Sequence, residues 1–188
     1  VILVAAYTGM RRGEVLALQW EDIDFVRRII YVQRNLVRVG GEFIVKPPKT
    51  QRGLRQVPVD DVVIERLAEL KEQATSKWVF SQADGSPLDP STVTHQFKRV
   101  AEQAGFPDLR FHDLRHTFAT ILLTQGIQAK VVQELLGHES ITTTIDTYTH
   151  VVESLQKQAA NAFGNALKRE ENLKWRQNGG NRNLRLVQ

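Results

Sequence analysis

The sequence predicts a mainly helical α+β domain with a small antiparallel three-stranded β-sheet, and three observations predict it. Apolar residues recur at helical spacing over most of the chain, as in Leu114, Phe118, Ile121 and Leu122, where positions three or four apart share one helix face. Residues 28–59 are instead rich in β-branched and aromatic residues and contain a Gly-Gly turn, which is the pattern of paired strands. The 188 residues, 41% apolar and 24% charged, are enough to bury one core.

In chain order, Val1 to Tyr7 reads as a helix that stops at Thr8-Gly9, because glycine readily takes the left-handed conformation that follows a helix C-terminus. A second short helix runs through Val15, Leu16 and Leu18. Arg28 to Val37 and Glu42 to Lys46 are strands joined at Gly40-Gly41, and Arg55 to Val59 is the third, after the polar link Thr50 to Gly53. Helices are expected over 61–73, through Val62, Ile64, Leu67 and Leu70, and over 91–104, capped by Ser91 or Thr92 and ended by Gly105. Trp78-Val79-Phe80 is a brief extended piece between them. From Asp113 a helix runs to Gly126, a second through Val131, Val132, Leu135 and Leu136 to Gly137, and a third from Ser140 to Tyr148. Val152 to Leu167 is a further amphipathic segment, with Leu155, Ala159, Ala162, Phe163 and Ala166 on its apolar side. Beyond Lys168 the composition turns polar and basic, so the expected division is a domain at 1–168 and a tail at 169–188.

Composition excludes several classes. Without cysteine there is neither a disulfide framework nor a thiolate zinc site, and 12 glycines with 6 prolines are too few for a collagen-like or low-complexity chain. The longest apolar run, Val1 to Tyr7, falls well short of the roughly 20 residues that span a membrane, and no secretory leader precedes it. A cytoplasmic protein is expected. The opening at Val1 inside an apolar run suggests that more chain lies upstream. The net charge of +4 is localised: residues 1–164 hold 19 basic and 19 acidic side chains, whereas 165–188 hold 6 and 2. Within the body, Arg27 to Arg55 carries eight cations against the single acid Glu42. A local anion such as a nucleic-acid backbone would suit that segment, and so would a solvated face.

Three clusters could carry chemistry. His112-Asp113-Leu114-Arg115-His116 places His112, Arg115 and His116 three and four apart, able to converge on one side of a helix. The same spacing resembles His-Glu-x-x-His of zinc proteases, but Asp113 is a methylene shorter than the required Glu and Arg115 would set a permanent cation beside the metal. His116, one turn into an apolar helix, reads as a core or capping histidine. Thr8-Gly9-Met10-Arg11-Arg12-Gly13-Glu14 puts Arg11 directly after a tight turn, with Glu14 able to hold its guanidinium. Leu136-Gly137-His138 is followed ten positions later by Tyr148, within Thr147-Tyr148-Thr149-His150.

Taken in order, these blocks resemble the tyrosine recombinases of the phage-integrase family. The likeness rests on Thr-Gly-Met-Arg-x-x-Glu at 8–14, on Lys49-Thr50 with Arg55-x-Val57-Pro58 after it, on His112-x-Leu114-Arg115-His116-Thr117 with Ala119-Thr120, on Leu136-Gly137-His138, and on Tyr148-x-His150-Val151. It covers roughly residues 1–155, nearly the whole catalytic domain of that family. The resemblance implies the catalytic set Arg11, Lys49, His112, Arg115, His138 and Tyr148, supported by Glu14 and His116. It also implies double-stranded DNA as substrate, a tetramer on DNA, accessory DNA-bending or directionality proteins, an N-terminal core-binding domain, and a bacterial cell whose chromosome or mobile element is acted on.

The chemistry suits those residue types. Breaking a phosphodiester requires a nucleophile, neutralisation of charge on the non-bridging oxygens, and protonation of a poor leaving group. Arg11 and Arg115 can grip phosphate oxygens as forks, which an ammonium cannot do. Tyr148, as a phenol with a pKa of ~10, needs a base and nearby positive charge before it attacks. His112 is the candidate for that proton transfer, and His138 for a hydrogen bond to the phosphate. The resemblance implies that Lys49 protonates the departing 5′ oxygen. A phosphotyrosine ester conserves the bond energy, so neither metal nor cofactor is expected. Charge and position make Lys46, Thr50, Arg52 and Arg55 candidate DNA contacts. A type IB topoisomerase-like strand transferase, a non-catalytic DNA-binding module and a zinc hydrolase built on His112 and His116 are the competing readings.

Overall fold

The computed structural model describes residues 1–48, 50–149, 157 and 159–165. It separates into two units, Val1–Tyr148 and Thr149–Gln188. The first begins with helices α1 (Ile2–Thr8) and α2 (Arg12–Leu16), continues through strands β1 (Ile23–Asp24), β2 (Ile29–Val32), β3 (Asn35–Val39), β4 (Glu42–Lys46) and β5 (Arg55–Pro58), and ends in helices α3 (Asp61–Glu72), α4 (Pro90–Gln103), α5 (Asp113–Thr124), α6 (Ala129–Leu136) and α7 (Ile141–Thr147). It is mainly helical with a small antiparallel sheet, as expected. In the second unit residues 157 and 159–165 are helical, within the expected segment 152–167. The expected boundary at 168/169 lies outside the described residues.

The strands are arranged differently from the expectation. The run from Arg28 to Val37 is divided between two sheets. Its first half, β2, pairs with β1 on one side and β5 on the other, with Ile30 opposite both Ile23 and Val57. Its second half, β3, forms a separate hairpin with β4 through Gly40 and Gly41, whose φ values are 60° and 92°; two successive positive φ values match the twist of a two-residue hairpin loop. The three-stranded sheet is therefore β1-β2-β5, and its first strand is only two residues long. Arg28 is not in a strand: it takes a φ of 57° in the turn from β1, where the Asp24 carboxylate accepts from the N–H groups of Val26 and Arg27. The division at Gln33-Arg34 coincides with a half-buried ion pair, since Arg34 Nη1 lies 2.6 and 2.7 Å from the two oxygens of the buried Asp22.

The main core contains Val4 and Ala5 of α1, Met10, Val15, Leu16, Ile30, Val57, Val63, Leu67, Val93 and Phe97. It is closed by α3, which Asp60 caps, and by α4, capped by Asp89 with Pro90 as its first residue. The α4 cap falls just before the expected Ser91 or Thr92, because the Asp89 carboxylate accepts from the Ser91 N–H at 2.6 Å. Helix α5 packs on α1 and α6, and α6 in turn packs on β5 and α7. That chain of contacts brings the start of the sequence together with residues more than a hundred positions away. Among the described residues, no helix is long and apolar enough to cross a membrane.

Candidate functional site

Two glycine turns build the centre. Gly9 ends α1 at φ 62° and Gly137 ends α6 at φ 65°. A Cβ on Gly9 would lie 2.5 Å from Phe118 Cδ1 and 2.9 Å from Leu136 Cδ2, so α1, α5 and α6 meet there with no room for a side chain. Arg115, on α5 and 3% exposed, donates from Nη1 to Gly9 O and from Nη2 to Leu136 O, both at 2.7 Å. It is a buried cation held by carbonyls at two helix C-termini, the ends at which the helix dipole favours positive charge. Burial, and then the charge of Arg11, lower its pKa to about 9, which leaves it protonated at neutral pH.

Arg11 is the N-cap of α2, and Glu14 in the first turn accepts both its N–H (2.8 Å) and its Nη1 (2.8 Å). Arg11 Nη2 also reaches Gly137 O at 3.4 Å. The expected Arg11–Glu14 pair is therefore present, with its acid buried. Glu14 is 3% exposed and is shared with Arg55, whose Nη1 and Nη2 lie 3.1 and 2.8 Å from its two oxygens. Burial pushes the Glu14 carboxyl up, yet the hydrogen bonds and charges of Arg55 and Arg11 outweigh it and hold the pKa below the usual value.

Arg55, a candidate DNA contact, is consequently buried within the domain. Its side chain is 6% exposed, and its Nε donates to Leu135 O at 2.7 Å. Other cations of the 27–55 stretch are likewise paired: Arg28 with Asp61, Arg34 with Asp22 and Glu21, and Arg38 with Asp89. Lys46 stands exposed at the end of β4, and Arg52 donates to the Glu139 carbonyl. Thr50 lines a cavity of about 340 Å³ together with Arg11, Glu14, Asn35, Gly137 and Glu139. Lys49 lies outside the described residues; its neighbours Pro48 and Thr50 both line that cavity.

His138 follows the Gly137 turn, its N–H returning to Gln133 O at 3.1 Å. Gln133, 1% exposed, clamps the turn from within by donating to His138 O at 3.0 Å. The His138 ring meets Thr144 of α7, Nδ1 to Oγ1 at 2.8 Å, and Thr144 is fully buried. Burial first, then the charges of Arg115, Arg11, Arg55 and His116, lower the His138 pKa to about 4. The imidazole is therefore neutral at neutral pH and has one N–H to donate. With Nδ1 facing the Thr144 hydroxyl, Nε2 has no hydrogen-bond partner among the described residues.

Tyr148, at the C-terminus of α7, is 5% exposed. Its hydroxyl lies 3.1 Å from Nδ1 of His116, and the two rings meet edge to face with centroids 5.9 Å apart. Burial raises the phenol pKa, and the Arg115 charge opposes the rise. His112, the expected proton-transfer residue, is exposed at the N-cap of α5 and touches the His116 ring, centroids 5.0 Å apart, with no hydrogen bond to Tyr148. Asp113 is drawn to Arg110, Nη2 to Oδ1 at 2.9 Å. Among the described residues no group of three or more His, Asp or Glu is placed to hold a metal ion.

The structure thus gathers Arg11, Arg115, Glu14, His138, His116 and Tyr148 around the α1, α6 and α7 ends. Sequence reasoning missed Thr144, Gln133 and Asn35. The position of Thr144 four residues before Tyr148 and six after His138 was visible, but nothing local distinguished it from its threonine neighbours. In chemical terms the site presents fixed guanidiniums, a neutral imidazole and a shielded phenol, a set suited to an oxyanion and an activated hydroxyl.

A model of the phage integrase family matches residues 1–154. A XerC-like tyrosine recombinase from Caldanaerobacter subterraneus subsp. tengcongensis is 34% identical over 186 residues, covering 86% of this chain and 47% of the relative. The ICEBs1 integrase of Bacillus subtilis is 31% identical, with coverage of 87% and 48%. The chain spans about half the length of the curated relatives it matches. Among solved structures, the Tn1549 transposon integrase in complex with circular intermediate DNA superimposes with a TM-score of 0.73 at 25% identity, over 84% of this chain and 58% of that one.

Proposed function

This chain belongs to the phage integrase family, and from that premise we propose that it is the catalytic domain of a site-specific DNA recombinase that cuts and rejoins strands through a 3′-phosphotyrosine ester. The observation that carries the reading is Arg115, whose two bonds to Gly9 O and Leu136 O join the turns before Arg11 and His138 to the helix that also carries His116, itself 3.1 Å from the Tyr148 hydroxyl. Arg11 and Arg115 neutralise the non-bridging oxygens of the scissile phosphate, and neutral His138 donates to one of them. Tyr148 attacks phosphorus once its proton passes to a histidine of the His112–His116 pair, and Lys49 protonates the leaving 5′ oxygen. Bond energy stays in the ester, so the reaction as proposed draws on neither ATP nor metal.

The same reading extends to the whole protein. It works in the bacterial cytoplasm as a tetramer on double-stranded DNA, integrates or excises a phage or other mobile element, and is directed by accessory DNA-bending or directionality proteins. Lys46, Thr50 and Arg52 are its phosphate contacts in the 27–55 stretch. The catalytic domain extends to about residue 168, with 169–188 as a basic tail. What supports this is the family, the matched relatives named as recombinase and integrase, and the Tn1549 neighbour solved with DNA.

Covalent capture tests it. The protein is mixed with a pool of nicked duplexes in chelator, denatured in detergent and scored for protein-linked DNA. An adduct that disappears in Tyr148→Phe is expected. An adduct that persists in Tyr148→Phe, or one that forms only without chelator, would overturn the reading.

A further inference from the structure

His116 read, from the sequence, as a packing residue. The structure sets it against the reacting atom: its Nδ1 is 3.1 Å from Tyr148 Oη, and its ring edge meets the phenol ring. Tyr148 is withdrawn from water at 5% exposure, so its hydroxyl depends on the protein for a hydrogen-bond partner. A phenol O–H donates readily, and the ring nitrogen of a neutral imidazole accepts. Among the described residues, the side chain within hydrogen-bond distance of that hydroxyl is His116.

From this geometry we propose that His116, and not His112, accepts the Tyr148 proton when the tyrosine attacks DNA. The proposal rests on Tyr148 being the nucleophile. In the step, the Oη–H bond breaks and its proton passes to His116 Nδ1, giving an imidazolium. The oxygen electron pair forms the bond to phosphorus, the bond from phosphorus to the 5′ oxygen breaks, and that oxygen takes a proton from Lys49. Rejoining runs the same transfers backwards.

Three further features fit. A candidate base must first lie within hydrogen-bond reach of the proton it takes, and only His116 of the pair does so. Arg115 is on the same helix one residue away, and its charge acts on Tyr148 in the direction that favours the phenolate. His112 packs on the His116 ring at 5.0 Å, and burial, then the charge of His116, hold its own pKa below the ordinary value. It therefore remains neutral beside a protonated His116 and avoids two imidazoliums in contact.

The first test needs no DNA. Nitrogen NMR of the histidine rings reports which nitrogen carries the proton. His116 should show an unprotonated Nδ1 whose shift changes in Tyr148→Phe. A protonated Nδ1 that donates to the phenol would overturn the proposal.

The second test is the covalent capture assay, with His116→Ala, His116→Asn and His112→Ala beside wild type. His116→Ala should slow adduct formation by about a hundredfold or more, as expected for loss of a general base. Added imidazoles should restore the rate in order of their basicity, which a purely packing role would not produce. His116→Asn places an amide near the Nδ1 position and fills much of the ring's space, yet it should remain as slow as His116→Ala. Equal adduct rates in His116→Ala and wild type, or loss without imidazole rescue while His112→Ala is rescued, would overturn this proposal alone. An adduct that survives Tyr148→Phe would remove the nucleophile reading as well, so the two failures are told apart.

Discussion

Glu14 and Arg55 form a two-point ion pair in the interior of the domain, with carboxylate and guanidinium each within a few per cent of full burial and separated by 2.8 and 3.1 Å at the two contacts. The same carboxylate holds Arg11, so one acid positions two arginines, one of them facing the cavity. Breaking a buried pair from one side leaves the other charge stranded. Arg55→Ala should therefore cost about 3–5 kcal/mol of stability, read as a lower midpoint in chemical denaturation. Arg55→Lys keeps the charge but not the fork, so it should recover only part of the loss.

Glu14 also predicts an acid limb. Its folded-state pKa is depressed, so its contribution is fully present above the unfolded value and is lost as pH falls through the lowered folded one. Stability measured against pH should decline in the acid range below the ordinary carboxyl value. Glu14→Gln should be less stable near neutrality and should flatten that limb.

His138 has the opposite chemistry and the same slope. Its pKa falls from 6.5 to about 4 on folding, so between those values the unfolded chain binds more protons than the folded one. Stability should rise with pH across that window and level off above it. In His138→Asn, denaturation midpoints should lose this part of the slope; an unchanged slope would contradict the neutral imidazole.

Thr144 is fully buried with its hydroxyl on His138 Nδ1 at 2.8 Å. Thr144→Val keeps the shape and removes the bond, so it should slow adduct formation about tenfold, in line with one hydrogen bond. Thr144→Ser should restore the rate. Equal rates for Val and Ser would mean that the contact does not orient the ring.

Gly9 combines a φ of 62° with side chains that an added Cβ would overlap, at 2.5 Å from Phe118 and 2.9 Å from Leu136. Gly9→Ala should cost about 2 kcal/mol or more from backbone strain and overpacking. Because Gly9 O holds Arg115, adduct formation should fall further than the stability loss explains at temperatures where the variant is fully folded.

Local features were readable in residue order. Helical spacing placed α1, α3, α5 and α6, glycines placed the turns at Gly9, Gly40-Gly41 and Gly137, and the ordered blocks Arg11, His112-x-x-Arg115, His138 and Tyr148 pointed to the family. These depend on neighbours a few positions apart, whose backbone and side-chain preferences act without help from the rest of the chain. Three things were decided by packing. The strand-rich run divides at Gln33-Arg34, where a buried carboxylate from before β1 holds the Arg34 guanidinium. Arg55 read as a cation for DNA and became a buried partner of Glu14, since its charge in the sequence says nothing of the acid facing it across the fold. His112 and His116 are one helical turn apart and chemically alike. Only the approach of α7 to α5 selects which imidazole meets the Tyr148 hydroxyl, because a hydrogen bond requires a partner at contact distance and the chain separates these two by 32 positions.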